Sequence, residues 1–558
     1  VAAAPGDYTA AAVRTLRPLL VIGVGGMLLS AVLLVPVIEF ALRSTRAPDA
    51  NLTFSNSFPM PAGQILTLVI PNLFGHPRLE DHGYWGLPFY EELTAYLGIV
   101  PLVAIFRTRT RPVSVLLALM VVLGIVISLG IDGGLFTLLY RLLPGYSLFR
   151  VPPRMLLFTV VGGAGLTALF ITDLQTLDHK GRVELLRPVV HWGLPAAVIL
   201  AAILAFLLLA YYTAHSTDAP PWRLFYSAHM TALAAMAMGA AWVGLRLWTR
   251  NDWLSRVPWL VGLTLLIIVI DLWHVSAPMI TASTADVPEM WKLMAQSAPA
   301  GPDFRVMTVP DEVTWQAGST YTHHLNVSGY DPLISDQAQE LLDASGQNPT
   351  TPIARLLGVR YVITNKPYDW LGLSGFETLK EITQEQDWHI YETADPLPHA
   401  FIVPTAQVIA DSGIALRKLT SGEIDPAQSV VVDRAVNCVP GIPDGTAFTG
   451  TAQIVRYAPN IVEIATRSEQ PGVLVLTDTY DPYWKVAVDG QPAELLRVDT
   501  ALRGVCVAAG VHQVRFEYRP VLLSTGLAIS AASWVLIAVV GLKMLRNRLQ
   551  TSESRRRA

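Results

Sequence analysis

Long apolar runs with almost no charge constrain this chain more than any other feature. About 18 or more such residues form a helix long enough to cross the hydrocarbon core of a bilayer. Composition agrees, because 52% of the 558 residues are hydrophobic, only 15% are charged and the mean hydropathy is +0.41. The sequence predicts a polytopic α-helical membrane protein with about eight spans, of which the second carries the weakest signal: 18–40, 89–106, 112–130, 153–173, 191–212, 227–245, 257–275 and 521–542.

Lys and Arg collect in alternate connections between these segments. If the eight spans alternate, all basic connections fall on one side of the membrane: Arg14 and Arg17, Arg107 to Arg111, Lys180 to Arg187, Arg246 to Arg256, and the tail 543–558. The positive-inside rule then places both termini in the cytoplasm. The stretches 41–90, 131–152 and 276–520 are predicted to be extracytoplasmic.

The long polar stretch 276–520 divides by pattern. Residues 276–400 mix helical stretches with apolar strands such as FRVMTV and VRYVIT, which predicts an α/β region. From 401 to 520 short β-runs alternate with turns, as in VHQVRFEY and the Asp489-Gly490 hairpin signal, which predicts a β-sandwich. The predicted organisation is a membrane bundle over 1–275, these two outer regions, a last helix over 521–542 and a basic cytoplasmic tail.

Two further features concern cysteine and the start of the chain. Cys438 and Cys506 both lie in the outer stretch, where an oxidising compartment permits a disulfide, and the sequence leaves their pairing open. The chain starts at Val1 and its first residues do not resemble a signal peptide. We therefore expect an N-terminal part to precede it.

The outer stretch 68–92 is the main candidate site, because it interleaves imidazoles and carboxylates with aromatic rings. Such groups bind cations, move protons or stack on sugars. The alternatives are that the charged pairs are solvated and that the rings belong to the interfacial aromatic belt. Their spacing matches no metal-ligand pattern, so no cofactor is predicted, although a divalent cation is not excluded. The candidates are His76, Asp81, His82, Tyr84, Trp85, Glu91 and Glu92.

Three further candidates flank this stretch. Glu39 lies near the outer end of the first span, where a carboxylate is costly unless it is paired or faces a cavity; Arg43 offers an ion pair one turn on. Arg150 and Arg154 close the amphipathic outer loop 131–152 and are placed to grip either a phosphate or lipid headgroups. Asp271, at the end of the seventh span, is expected simply to reach water.

Several patches resemble the YfhO family of bacterial multi-pass membrane proteins, from about residue 30 to 545. They are LLVPVIEF, IPNLFG, YWG, AYLGIVPL, LPGYSLFRVPPR, GYDPL, LLGVRYVITN and the run from YDPYWKVAVDG to RFEYRP. The resemblance implies a GT-C-like glycosyltransferase fold that transfers a sugar from a polyprenyl-phosphate carrier to a cell-envelope polymer or glycolipid. The acidic loop that carries catalysis in such enzymes is expected to precede this chain, so no catalytic residue is assigned.

Three functions remain open at this point. The first is the membrane glycosyltransferase, with membrane lipids, a lipid-linked donor and an envelope acceptor as partners and no nucleic acid. The second is a transporter or flippase for a lipid-linked sugar, which would favour charges near the membrane midplane rather than at the outer helix ends. The third is a non-catalytic envelope scaffold whose outer domain is the working part. The sequence leans towards the enzyme.

Overall fold

The protein is represented by a computed structural model that describes residues 20–45, 51–77, 83–86, 90–107, 111–143, 145–213, 222–250, 257–277, 287–309, 319–327, 329, 333–367, 375, 378–436, 438 and 448–557. The described residues of Val1–Ala47 and Ala285–Ala558 form one compact unit. Those of Pro48–Thr284 form a second unit. The first unit therefore joins the beginning of the chain to its C-terminal half.

Helices make up most of the described chain before residue 277. They are α1 Leu20–Leu29, α2 Ala31–Ala41, α3 Leu52–Ser55, α4 Tyr90–Leu93, α5 Ile99–Arg107, α6 Pro112–Ser128, α7 Leu135–Leu142, α8 Leu156–Thr176, α9 His179–Thr213, α10 Trp222–Arg250 and α11 Val257–Ser276. By length and composition, four helices of the described chain qualify as membrane spans, or five if the bent pair α1–α2 is one span. The fourth is the long last helix, which follows the β-sheets of the C-terminal part.

The eight spans expected from hydropathy are thus not shown, for a visible reason. The predicted span 89–106 consists of two short helices, α4 and α5, separated by a non-helical connection around Gly98 at φ +90°. Helix α6 has 17 residues, because Pro112 starts it and the left-handed Gly130 follows its end. Hydropathy is averaged over a window of residues, so it does not detect these breaks in the helical backbone.

The C-terminal part begins with helix α12 (Glu289–Ser297) and a five-stranded sheet of order β2-β1-β3-β5-β4. Its strands are β1 Arg305–Val309, β2 Leu325–Asn326, β3 Val359–Thr364, β4 Lys380–Glu385 and β5 Trp388–Glu392. β1 runs parallel to β2 and β3, and β5 is antiparallel to its neighbours. The connections carry short helices: α13 Ser319–Thr322, α14 Asp336–Ala344 and α15 Pro352–Leu356.

Two further sheets follow. One has the order β6-β11-β15-β14-β8-β7 and the other β13-β12-β16-β10-β9. Their elements are β6 Ala400–Val403, β7 Thr405–Val408, α16 Ser412–Thr420, β8 Ser429–Val432, β9 Gly450–Ala458, β10 Ile461–Ser468, β11 Gly472–Thr479, β12 Trp484–Val488, β13 Gln491–Ala493, β14 Leu496–Val498, β15 Leu502–Val507 and β16 Gly510–Tyr518. The last helix, α17, covers Val521–Arg557.

These last two sheets face each other across one apolar layer. Ile402, Leu474 and Val505 of one sheet pack with Ile464 and Phe516 of the other. Within β16, inward apolar residues alternate with outward charged ones, as the period of two in the sequence predicts. The hairpin signal is also confirmed, because Asp489 and Gly490 both adopt positive φ between β12 and β13. This β part is a sandwich, and a disulfide between Cys438 and Cys506 ties β15 to the segment after β8.

The first and last helices pack against each other within the first unit. α1 and α2 meet at Ser30 with a bend of 78°, which leaves the first N–H groups of α2 without helical partners. The hydroxyl of Ser530 on α17 accepts a 3.0 Å hydrogen bond from Val32 N–H. Gly526 allows this approach, since a Cβ there would lie 2.4 Å from the carbonyl oxygen of Ala31. An apolar phase offers no water to satisfy such groups, so the contact stabilises the bend.

We expect Gly526→Ala to separate this helix pair and lower the thermal unfolding midpoint of the detergent-solubilised chain by several degrees. The new methyl group meets backbone atoms rather than a flexible side chain. Gly541→Ala, on the same helix with nothing within 4 Å of its added Cβ, is the matched control and should leave the midpoint unchanged. Equal midpoints for the two variants would contradict the described packing.

One buried carboxyl group makes the stability of the sandwich depend on pH. Asp499 is fully buried between β14 and β15, where its Oδ1 accepts a 2.8 Å hydrogen bond from Val431 N–H of β8. Its Oδ2 has no hydrogen-bond partner among the described residues. Burial disfavours the charged form and raises the pKa of Asp499 to about 7.

Because the folded chain holds this proton more tightly than the unfolded chain, the contribution of Asp499 to stability falls as pH rises from about 4 to about 7 and is flat above. The loss amounts to roughly 4 kcal/mol at most, at about 1.4 kcal/mol per unit of pKa. Asp499→Asn keeps the acceptor for Val431 and removes the charge, so it should abolish this contribution. Unfolding free energies of both proteins between pH 4 and 8 test it; a difference between them that does not change with pH would be inconsistent.

Candidate functional site

An aromatic cluster forms where the stretch after α3 meets helix α10 in the second unit. We define it as Tyr84, Trp85, Tyr90, Trp222 and Tyr226. The Trp85 ring lies edge-on to Trp222 and Tyr226, with centroid distances of 5.0 and 5.4 Å. Tyr84 and Tyr90 meet edge-on at 5.2 Å. The predicted candidates Tyr84 and Trp85 are thus brought together with two rings from helix α10, and Trp222 lies 137 residues after Trp85 in the chain.

Two short glycine motifs hold the cluster in place. Trp85 N–H donates a 3.0 Å hydrogen bond to the carbonyl of Phe74, which aligns the two segments. Gly75 sits at φ +80°, and a Cβ there would lie 2.5 Å from both the Gly83 carbonyl oxygen and the Trp85 ring. Only glycine fits such a position. The IPNLFG and YWG patches of the sequence therefore pack directly against each other.

Hydrogen bonds orient the two tyrosines. Gln64, in a 3-10 helix over Ala62–Leu68, donates to the Tyr84 hydroxyl at 2.8 Å. The Tyr90 hydroxyl donates to Oδ1 of buried Asn72. Burial raises the pKa of Tyr84, so its hydroxyl keeps its proton and remains a donor at neutral pH. Ser227 of α10 donates to the Leu73 carbonyl at 2.9 Å, which fastens the stretch to the helix.

An ion pair lies beside the cluster. Glu92 Oε1 accepts hydrogen bonds from Arg154 Nε at 2.9 Å and from Nη2 at 2.6 Å. The Arg154 side chain is 54% exposed and that of Glu92 27% exposed, so the pair is accessible to a ligand. Glu91 lies next to Glu92, is exposed and interacts electrostatically with Tyr84 and Tyr90. Aromatic faces, two carboxylates and a guanidinium group therefore occur together.

The other predicted residues are distributed differently. Arg150 lies over the Phe54 ring at 5.9 Å. His76 is partly buried, which lowers its pKa and favours the neutral ring at pH 7. Glu39 belongs to the first unit, where its Oε1 lies 2.6 Å from Nη2 of Arg43. Asp81 and His82 lie outside the described residues.

Asp271 has a definite structural role that the sequence did not reveal. Its Oδ2 accepts a 2.8 Å hydrogen bond from Ile99 N–H at the start of α5, and its Oδ1 accepts one of 2.7 Å from the Tyr96 hydroxyl. A carboxylate at a helix N-terminus satisfies free donors and interacts well with the helix dipole. Asp271 makes these two hydrogen bonds instead of the contact with water that the sequence predicts. The cap comes from another helix, so no local spacing signals it.

A buried charge cluster in the C-terminal part was also not predicted. Asp478 of β11 contacts His399 at 2.7 Å, Arg305 at 2.9 Å and Arg503 at 2.6 Å. Burial alone would raise the pKa of Asp478, but the hydrogen bond with His399 and the charges of Arg503 and Arg305 hold it well below its usual range. Burial and the charge of Arg305 lower the pKa of His399, which is therefore neutral at pH 7. The cluster links β1 of the α/β region to β11 and β15 of the sandwich, and its role is structural.

Among the residues that the structure describes, no group of three or more His, Cys, Asp or Glu side chains is arranged to hold a metal ion. The chemistry available at the aromatic cluster is ring stacking, anion binding by Arg154 and proton transfer by Glu91 or Glu92.

Fold and site together define a helical membrane protein with a C-terminal β domain. A family profile described as bacterial membrane protein YfhO matches residues 449–530, which run from the start of β9 into α17. This match supports membership of the YfhO family, as the resemblance of the 480–520 run predicted. Neither a curated protein nor a solved structure matches the chain.

Gly75→Ala tests the packing of the aromatic cluster. The added methyl group collides with the Gly83 carbonyl and the Trp85 ring, and the backbone conformation is itself unfavourable for alanine. We expect a loss of unfolding free energy of about 1–3 kcal/mol for the solubilised chain. Gly63→Ala, nearby in the 3-10 helix with nothing within 4 Å, should change it by less than about 0.5 kcal/mol. The packing would be refuted by equal losses in the two variants.

Proposed function

We propose that this protein is a membrane glycosyltransferase-like protein of the GT-C type. It transfers a sugar from a polyprenyl-phosphate carrier to a cell-envelope polymer or glycolipid on the outer face of the bacterial plasma membrane. In this proposal both termini of the chain are cytoplasmic and residues 276–520 are extracytoplasmic, as the distribution of Lys and Arg indicates.

The observation that supports this proposal best is the aromatic cluster with the Glu92–Arg154 pair beside it. Aromatic faces present flat apolar surfaces to the C–H side of a sugar ring. A guanidinium group binds phosphate oxygens through two parallel hydrogen bonds. Nε and Nη2 of Arg154 offer that pair of donors, and they are engaged by one carboxylate oxygen. A carrier phosphate can replace this carboxylate.

This exchange assigns a role to each partner. When the phosphate takes Arg154, Glu92 becomes free to accept a proton from the acceptor hydroxyl. The hydroxyl oxygen attacks the anomeric carbon, the bond from that carbon to the phosphate oxygen breaks, and its electron pair leaves with the polyprenyl phosphate. Atoms and charges balance without a further reactant. These steps use a lipid-linked donor. Such a donor suits a site on the outer face of the membrane, where nucleotide sugars are not supplied.

The experiment follows a radiolabelled sugar on a polyprenyl-phosphate carrier in sealed vesicles that contain the full chain. Arg154→Ala should lower transfer to an added envelope acceptor about 100-fold or more, because a preorganised charge on the leaving group is lost. Arg141→Ala, exposed on α7 of the same loop, is the matched control and should transfer normally. Arg150→Ala should also abolish transfer with membrane insertion intact, and normal transfer by this variant would remove Arg150 from the site.

The outcomes separate the competing functions. Label that becomes covalently bound to the acceptor supports the transferase. Label that crosses the vesicle membrane without covalent attachment would replace it by a transporter or flippase. Label that remains on its carrier on the side where it was added, with chain correctly inserted, would leave an envelope scaffold. Normal transfer by Arg154→Ala would remove the Glu92–Arg154 pair from the mechanism.

A further inference from the structure

Helix α7 presents an apolar face that the described part of the chain leaves exposed. Leu135, Leu138 and Leu142 follow each other at helical spacing, so they lie on one side of this helix. Leu138 is 51% exposed, Leu142 is 68% exposed, and Leu135 is partly exposed. We call these three residues the leucine face of α7. Contiguous exposed apolar residues mark sites of contact with a protein or a membrane.

The opposite side of α7 is apolar as well and is already packed. Phe136 is buried there, and its ring meets the Tyr146 ring edge-on at 5.6 Å. A helix that borders water normally carries polar residues on its free side. Because α7 carries leucine on that side, its free side fits an apolar surface better than it fits water.

Hydrogen bonds hold the connection around α7, so that the leucine face keeps its direction. Before the helix, Ile131 N–H donates to Oδ1 of Asn56 at 2.9 Å. After the helix, the Ser55 hydroxyl donates to the Ser147 carbonyl at 2.9 Å. Gly134, at φ +73°, turns the chain into the helix. The exposed leucines therefore belong to a fixed element of the structure.

The position of α7 in the chain identifies the apolar surface that it meets. The helix lies in the connection between α6 and α8, which pack closely at Gly124 and Gly162, so this connection begins and ends at one end of the pair. Residues Pro152–Thr176, which contain α8, qualify as a membrane span. Leu157, in the first turn of α8, is already exposed. The apolar surface of the span therefore starts where the connection that contains α7 ends.

Size and charge distinguish a lipid surface from a protein partner. The eight residues of α7 form a helix about 12 Å long and about 10 Å wide. One side of such a helix is small beside the area of about 800 Å² that each partner buries in a stable protein complex. The connection 129–155 contains three arginines and one acidic residue, Asp132, so its net charge is positive. An apolar face with positive charge nearby is the combination that binds helices to the surface of lipid membranes.

We propose that α7 is an interfacial helix that lies in the surface of the lipid bilayer. Its leucine face reaches the boundary between headgroups and acyl chains, about 5–10 Å deep, as in other helices of this kind. This contact holds the connection that ends with Arg150 and Arg154 at the level of the headgroups. The inference is independent of the proposed transfer reaction, because it depends only on the leucine face and on the span that follows it.

The test places one fluorescent label at a time on the full chain, in lipid nanodiscs that hold a single copy. The two native cysteines are joined in the disulfide, so Leu138→Cys and Leu142→Cys each introduce one free thiol for labelling. Two quenchers are compared: iodide in the water, and a lipid that carries a nitroxide close to its headgroup. Relative to a label in water, we expect quenching by the nitroxide lipid to be about threefold stronger or more, and quenching by iodide about threefold weaker or more, because the leucine face lies in the interface.

Two control positions calibrate the quenching. Val511→Cys supplies the label in water, because Val511 is an exposed apolar residue of β16 about 23 Å along the strand from Tyr518 and the start of α17. Leu157→Cys, exposed in the first turn of α8, supplies the label in contact with lipid.

The outcomes separate a lipid surface from the other ways to cover the leucine face. Labels on Leu138 and Leu142 that iodide quenches as strongly as the label on Val511 would overturn the proposal, and a second copy of the chain would then be the candidate partner. Labels that neither quencher reaches would also overturn it, since another part of the same chain would then cover the face. Quenching that follows the Leu157 label supports the interfacial helix.

Discussion

The need to satisfy backbone hydrogen-bonding groups wherever an apolar helix is interrupted underlies much of this structure. Each break exposes N–H groups that cannot turn to water in a hydrocarbon phase. Ser530 supplies the acceptor at the break before α2, and Asp271 does so at the start of α5. Both acceptors come from a helix far away in sequence. The breaks are therefore stable because tertiary contacts, rather than local propensity, complete them.

Glycine makes these contacts possible in several places. Gly526 lets α17 approach the backbone of α2, and Gly124 and Gly162 let α6 and α8 approach closely in the same way. At Gly75 the same lack of a side chain seats the Trp85 ring. Where glycine lets two backbones approach closely, a hydrogen bond can form and an aromatic ring can pack. These contacts hold the non-helical stretch in place, so that it becomes a defined part of the candidate site.

How much the sequence predicts depends on whether the signal is local. The period of two in β16, the Asp489-Gly490 turn and the helical segments were predictable, because each depends on residues within one element. The number of spans was not, since hydropathy cannot register the break around Gly98. Tyr84, Trp85, Glu92 and Arg154 were identified by type. Their partners Trp222, Tyr226 and Gln64 were missed, because only the fold brings them near.

The proposed function requires the aromatic cluster and Arg154 to hold a lipid-linked sugar together. A cryo-EM map of the full chain in nanodiscs with a non-transferable polyprenyl-phosphate sugar would show whether they do. We expect a sugar ring against Trp85, with the phosphate on Arg154 and Glu92 displaced from it. A ligand in another position, with the Glu92–Arg154 pair still closed, would rule the proposed function out.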